Sequence, residues 1–213
     1  MTAGDKAIQI LDGGMGRELK KIGAPFRQPE WSALALMQSP ELVSDVHTHF
    51  LNAGATIITT NTYALVPFHI GEQTFNEQAF KLAETAAKLA RDAVNAQQGE
   101  QEGNLSVAGC IPPAFGSYRP DLFDASRVSE ILMPLIEAQA PYIDVWLIET
   151  ASSKVGVNTL ITNNILLTAK EDIDDYEKII NASKNLDEKF FKNLIDAKRL
   201  YNALKSGEKS VYF

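Results

Sequence analysis

Residues 39–63 read SPELVSDVHTHFLNAGATIITTNTY, and the order of their parts points to the class of the fold. Ser39 is a residue type that caps helix starts. Pro40 suits the first helical position because its missing N–H is one that a helix start leaves unpaired anyway, and Glu41 falls in the first turn, where the helix dipole favours an acid. A helix over residues 40–52 is therefore expected, closed by Gly54, which tolerates the backbone of a helix end. Thr56-Ile57-Ile58-Thr59-Thr60 is β-branched throughout and reads as a buried strand that ends in polar Asn61-Thr62-Tyr63.

The same alternation extends in both directions. Short apolar runs at 7–11, 106–111 and 144–148 read as three more buried strands. Between the second and third, Phe80, Ala83, Ala87, Ala90 and Val94 recur at spacings of three and four and predict a buried helical stripe. Lys81, Glu84, Lys88 and Arg91 fall on other faces, with Glu84 and Lys88 at the favourable i,i+4 spacing. A further helix starts near Ser126, with Val128, Ile131, Leu132 and Leu135 as its stripe and Pro134 expected to kink it. Buried strands followed by helices imply an α/β fold with a parallel sheet and right-handed crossovers, either doubly wound or a (βα) barrel.

Composition narrows the function classes. The 213 residues are 45% hydrophobic and 22% charged, enough to bury one sizeable core. A net charge of -7 argues against whole-chain attraction to nucleic acid or anionic lipid. Residues 1–8 carry Asp5 and no apolar run of signal-peptide length, and no stretch approaches 18 apolar residues without a charge, so a cytoplasmic protein is expected. One cysteine excludes an intramolecular disulfide and any site that needs two thiolates from the same chain.

The averages conceal a seam at Ser153. Residues 1–153 hold all nine prolines and 11 of the 13 glycines, with 10 basic against 18 acidic side chains. Residues 154–213 hold no proline, nine lysines and seven asparagines, with 10 basic against 9 acidic side chains. Two units are expected, 1–153 and 154–213. The second reads as a mostly helical appendage, with Phe190, Leu194, Ala197, Tyr201 and Leu204 spaced by four and three.

In parallel architectures chemistry gathers beyond the carboxyl ends of the strands. Those ends are Asp12-Gly13-Gly14-Met15-Gly16, Asn61-Thr62-Tyr63, Gly109-Cys110-Ile111-Pro112-Pro113 and Glu149-Thr150-Ala151. The glycine cluster is not a dinucleotide fingerprint, since Leu19 stands where the third glycine belongs. A tight turn with positive φ is one reading. The better one has backbone N–H groups cradling the carboxylate of a small ligand while Asp12 and Glu149 face its ammonium group.

His47-Thr48-His49 has the H-x-H form of a metal pair, but i and i+2 on a helix do not face each other, so surface or partly buried histidines are expected. His69 stands alone and carries no signal. Cys110 reads as a small buried hydrophobe rather than a nucleophile. Trp31 could be core or the lid of a pocket.

Taken in order, Leu11-Asp12-Gly13-Gly14-Met15-Gly16, Trp31-Ser32-Ala33, Pro40-Glu41-Leu42-Val43 through Ala53-Gly54-Ala55, Thr59-Thr60-Asn61-Thr62-Tyr63, Val107-Ala108-Gly109 and Ile148-Glu149-Thr150 resemble the homocysteine S-methyltransferase family. The resemblance covers about residues 8–153; residues 154–213 resemble no recognised family. It implies a (βα)8 TIM barrel that moves a methyl group from a donor onto the homocysteine thiol to make methionine. By motif position Asp12, Gly13, Gly14 and Glu149 would hold the amino-acid end of homocysteine, with Trp31 and Tyr63 as pocket walls. The family holds the thiol with zinc on three cysteines taken from later strands. This chain has one cysteine, so zinc is not expected to bind it stably. The expectation is a partial barrel of about four βα units, a truncated or rearranged methyltransferase without its zinc half. The alternatives are a non-catalytic binding or interaction half-barrel, in which a second copy could cover the open edge, and a metal hydrolase using His47 and His49.

Overall fold

The structure is a computed structural model that describes residues 9–97 and 105–150. Pro40 and Gly54 bound a helix as the sequence predicts. Helix α3 spans Pro40–Asn52, behind α1 (Met15–Lys21) and α2 (Ser32–Gln38). Ser39 caps it without a side-chain hydrogen bond, and Gly54 turns the chain at φ +96° with its N–H on Leu51 O. Strand β1 (Ile57–Thr59) then leads through a short α4 (Pro67–Ile70) into the long α5 (Glu72–Gln97). Strand β2 (Ser106–Ile111), α6 (Val128–Gln139) and β3 (Val145–Ile148) complete the described chain.

The strands form a three-stranded parallel sheet in the order β1-β2-β3, with Ile58 opposite Val107 and Gly109 opposite Trp146. Leu11 adds a parallel bridge to Ile57, fixed by Thr56 and Ile57 N–H on Ile10 O and by Asp12 N–H on Ile57 O. The strand expected at 7–11 thus appears as one bridge, and residues 7 and 8 lie outside the described residues. Long helices between parallel neighbours make the chain mixed α/β, as the alternation implies.

The predicted stripe of α5 needs one change. Phe80 is 50% exposed, and Ala79 takes its place beside Ala83, Ala86, Ala87, Ala90, Ala93 and Val94, all buried. Ridges of alanine let neighbouring helices approach closely, so the small residues rather than the large one face inward. In α6 the expected stripe of Val128, Ile131, Leu132 and Leu135 is buried throughout, and Pro134 lies inside the helix. A second cluster of Leu51, Ile58, Ala90, Val94, Leu105 and Val107 packs α3 and α5 onto the sheet.

One polar clamp fastens the amino end of the sheet. Arg91 of α5 donates to Tyr142 O (2.9 Å) and to Asp144 Oδ2 (2.7 Å), and the same carboxylate oxygen accepts from Val107 N–H (2.8 Å). The expected seam at Ser153 and the appendage over 154–213 lie outside the described residues. Among the described residues no helix is long and apolar enough to cross a membrane.

Candidate functional site

Parallel strands leave their loops together at one end, and there the chain encloses a cavity of about 1020 Å³. All six residues singled out from the sequence line it: Asp12, Gly13, Gly14, Trp31, Tyr63 and Glu149.

Asp12 follows the Leu11 bridge directly and is held by β1. Its Oδ2 accepts from Thr59 N–H (2.8 Å) and its Oδ1 from the Thr59 hydroxyl (2.9 Å). Burial pushes the Asp12 carboxyl up to about 6; the two Thr59 bonds oppose this and the nearby Glu149 charge adds to it. Glu149 stands just past β3, with its N–H on Ile111 O (3.1 Å). Burial also raises its carboxyl, against a hydrogen bond donated by the Cys110 thiol. Two partly desolvated carboxylates lining one cavity create demand for a cation, which an ammonium group meets with both charge and three donors.

The glycines serve space rather than positive φ. A Cβ on Gly13 would lie 2.8 Å from Phe50 Cε1, and one on Gly16 2.8 Å from Phe26 Cε2. Gly14 precedes α1 in extended backbone at φ -71°. The positive-φ turn reading is therefore corrected: at Gly13 and Gly16 aromatic rings occupy the space a Cβ would need, while a Cβ on Gly14 would meet only Arg17 at 3.9 Å.

Trp31 belongs to the wall rather than the core. It is 40% exposed and meets Phe26 edge-to-face at 5.7 Å. Its φ of +48° is unusual for a bulky side chain, a local strain of the kind found where a site is shaped. Tyr63 contributes its ring to the cavity and its hydroxyl to a cluster with Ser117 Oγ and Thr150 Oγ1.

His47 and His49 diverge as helix geometry requires. His47 is fully buried, and burial drives its imidazole down to about 4. His49 is half exposed on the other side, 3.7 Å from Glu18. Cys110 is fully buried in β2, and burial pushes its thiol well above the ordinary value.

The sequence reading missed His69, which lines the cavity with its Nδ1 3.0 Å from Pro29 O. Phe26, Phe68, Ser117 and Tyr118 also line it unannounced. Phe26, Ser117 and Tyr118 come from loops and Phe68 and His69 from the single turn of α4, stretches too short or irregular for periodicity to carry information.

The sequence matches the homocysteine S-methyltransferase family over residues 9–195, most of its length. The chain belongs to that family. The match continues past Ser153, into the stretch that composition sets apart.

Among curated homocysteine S-methyltransferases, the Escherichia coli (strain K12) enzyme is 36% identical over 117 residues, covering 54% of this chain and 37% of the enzyme. Homocysteine S-methyltransferase 1 of Zea mays is 38% identical over 124 residues, covering 56% and 38%. The crystal structure of the homocysteine methyltransferase MmuM from Escherichia coli in its metallated form superposes with a TM-score of 0.68 at 28% identity, covering 78% of this chain and 62% of that one. The matched part is thus between about a third and two thirds of the length of these homocysteine S-methyltransferases.

The three-cysteine set that the family resemblance implies for zinc cannot be drawn from these 213 residues. The 213 residues contain one cysteine, and its thiol is buried and held protonated, whereas zinc takes thiolate. Among the described residues no three His, Cys, Asp or Glu side chains converge as a metal site.

Proposed function

We propose that this chain is a partial (βα)8 barrel of the homocysteine S-methyltransferase type that binds the amino-acid end of homocysteine and does not itself activate the thiol. The observation that carries the reading is the partly buried pair Asp12 and Glu149, lining one cavity with Gly13 and Gly14 at the carboxyl end of a parallel sheet. The ammonium group of the ligand lies between the two carboxylates, displacing the proton that burial favours on them. Its carboxylate faces the backbone of the glycine turn, where the first N–H groups of α1 have no acceptor of their own within the helix. Trp31 and Tyr63 flank the aliphatic chain.

Methyl transfer needs the thiolate, and an unassisted thiol with a pKa of about 8.5 is mostly protonated at neutral pH. The donor set supplies no metal to lower that value. Binding without turnover is therefore the expected behaviour of these residues alone, with homocysteine and a methyl donor as the ligands that the family suggests.

Calorimetric titration of the purified chain with homocysteine tests the reading. Saturable binding is expected, weakened about tenfold or more by Glu149→Gln, the usual scale for losing a charged hydrogen bond. Absence of binding, or zinc-dependent formation of methionine by the chain alone, would overturn it.

A further inference from the structure

The residues after β1 do more than furnish a wall. Asn61 Nδ2 donates to Ser32 O (3.1 Å), beside Trp31 and at the start of α2. His69 Nδ1 lies 3.0 Å from Pro29 O, and because a carbonyl can only accept, Nδ1 carries the proton. Both bonds therefore hold the loop that presents Trp31, one on each side of it.

The opposite wall is tied to the same segment. The Tyr63 hydroxyl bonds to Ser117 Oγ and, at 3.2 Å, to Thr150 Oγ1, next to Glu149. Gly116 packs so closely on Phe68 that a Cβ there would lie 3.0 Å from the ring, and its φ of +107° also demands glycine. These ties hold the loop that carries Tyr118, a residue 79% exposed with φ +58°.

Among the described residues, the non-glycine positions with positive φ are Trp31, Tyr118 and Thr150. Each is adjacent in sequence to, or directly hydrogen-bonded with, a residue tied to segment 61–69. Strained backbone persists only where its surroundings over-determine it. A single short segment provides that restraint at all three places.

We propose that residues 61–69 are the positioning element of the cavity mouth, with His69 setting the Trp31 wall and Tyr63 setting the Ser117–Tyr118 wall. His69 acts here through Pro29, as a positioning residue. The bond that His69 makes runs to Pro29, whereas Asp12 is held by Thr59. His69 lines the same cavity as the acid pair but is tied to the Trp31 loop, so the test reads that loop separately from ammonium binding. The functional consequence rests on the homocysteine reading above: the two walls close on the side chain of an amino acid whose ammonium group is held by Asp12 and Glu149.

The test compares His69→Phe, which removes the donor and keeps a ring, with His69→Asn, which restores an N–H near the Nδ1 position. Acrylamide quenching follows Trp31, with buried Trp146 as the less accessible tryptophan, while homocysteine titration follows the cavity and thermal melting follows the fold. His69→Phe should raise the quenching and weaken homocysteine binding about three- to tenfold, the scale of one hydrogen bond, while His69→Asn retains both. Ser117→Ala should weaken binding to a similar degree without changing Trp31 quenching, because it releases the other wall. Unchanged quenching and affinity in a folded His69→Phe, together with unchanged affinity in Ser117→Ala, would overturn the proposal. If the parent chain binds no homocysteine, the functional reading fails, and the quenching comparison still decides whether His69 positions Trp31.

Discussion

At the scale of single residues, two buried titratable groups pull the pH dependence of stability in opposite directions. His47 is fully buried, neither ring nitrogen has a hydrogen-bond partner among the described residues, and its imidazole is driven from 6.5 to about 4. Its neutral form is the one the fold accepts, so its contribution is intact above pH 6.5 and is lost as pH falls towards 4. A shift of that size is worth on the order of 3 kcal/mol. Asp12 has the reverse sign: its carboxyl is raised from 3.8 to about 6, so its contribution is intact below pH 3.8 and is lost as pH rises through 6. The two windows overlap, and each masks part of the other in the parent protein. Thermal melts between pH 4 and 7 should expose them. His47→Leu should flatten the loss of stability on acidification, and a variant that keeps the parent slope would refute the assignment. Asp12→Asn should raise stability at pH 7 relative to pH 4, because an amide can still accept from Thr59 N–H without a buried charge. The same change should weaken homocysteine binding about tenfold or more, the cost of losing a charged hydrogen bond. Gain of stability with loss of affinity is the signature of a group kept for its ligand, and loss of both would mark Asp12 as merely structural.

Elements were legible where a residue type forces the backbone and less so where packing decides. Pro40 and Gly54 bracket α3 because one cannot continue a helix backward and the other sits at φ +96°. The stripe of α5 was read one residue off at its start because Phe80 is the larger apolar residue, yet Ala79 is the one that fits against neighbouring helices. The first strand was expected as a run and is seen as a bridge at Leu11, held by pairing that no local pattern encodes. Gly109 illustrates what only the assembled sheet explains. In sequence it is a weak point in a strand, whereas in the fold a Cβ there would lie 2.6 Å from Trp146 Cζ3 on the paired residue of β3. Gly109→Ala is therefore expected to cost about 1–3 kcal/mol in urea unfolding, the usual price of overpacking a core. Trimming the facing ring, as Gly109→Ala with Trp146→Leu, should recover part of that loss. An unchanged midpoint in the single variant would show that the ring moves aside freely.

For the whole molecule, the six candidate site residues come from three separate strand ends and one loop, and the parallel sheet is what brings them to one cavity. Their convergence was legible because residues after buried strands share one end of a parallel sheet, whatever their separation in sequence. His69 in the short α4 and the loop residues Ser117 and Tyr118 were not, since their places depend on side-chain ties such as His69 to Pro29 and Tyr63 to Ser117. The arrangement is also unequal in chemistry: the acid pair and the glycine turn supply the amino-acid end, while the single cysteine is sealed in β2. Homocysteine and methionine share that amino-acid end and differ at sulfur. If the cavity reads only the shared part, the two should bind within about tenfold of each other, since burying one extra methyl is worth about 0.8 kcal/mol. Added zinc should leave both affinities unchanged, because no thiolate-bearing donor set recruits it. Paired titrations with and without zinc measure both points. A zinc-dependent preference for homocysteine of a hundredfold or more would mean that these residues assemble a thiol-activating centre after all, and that the chain is equipped for methyl transfer.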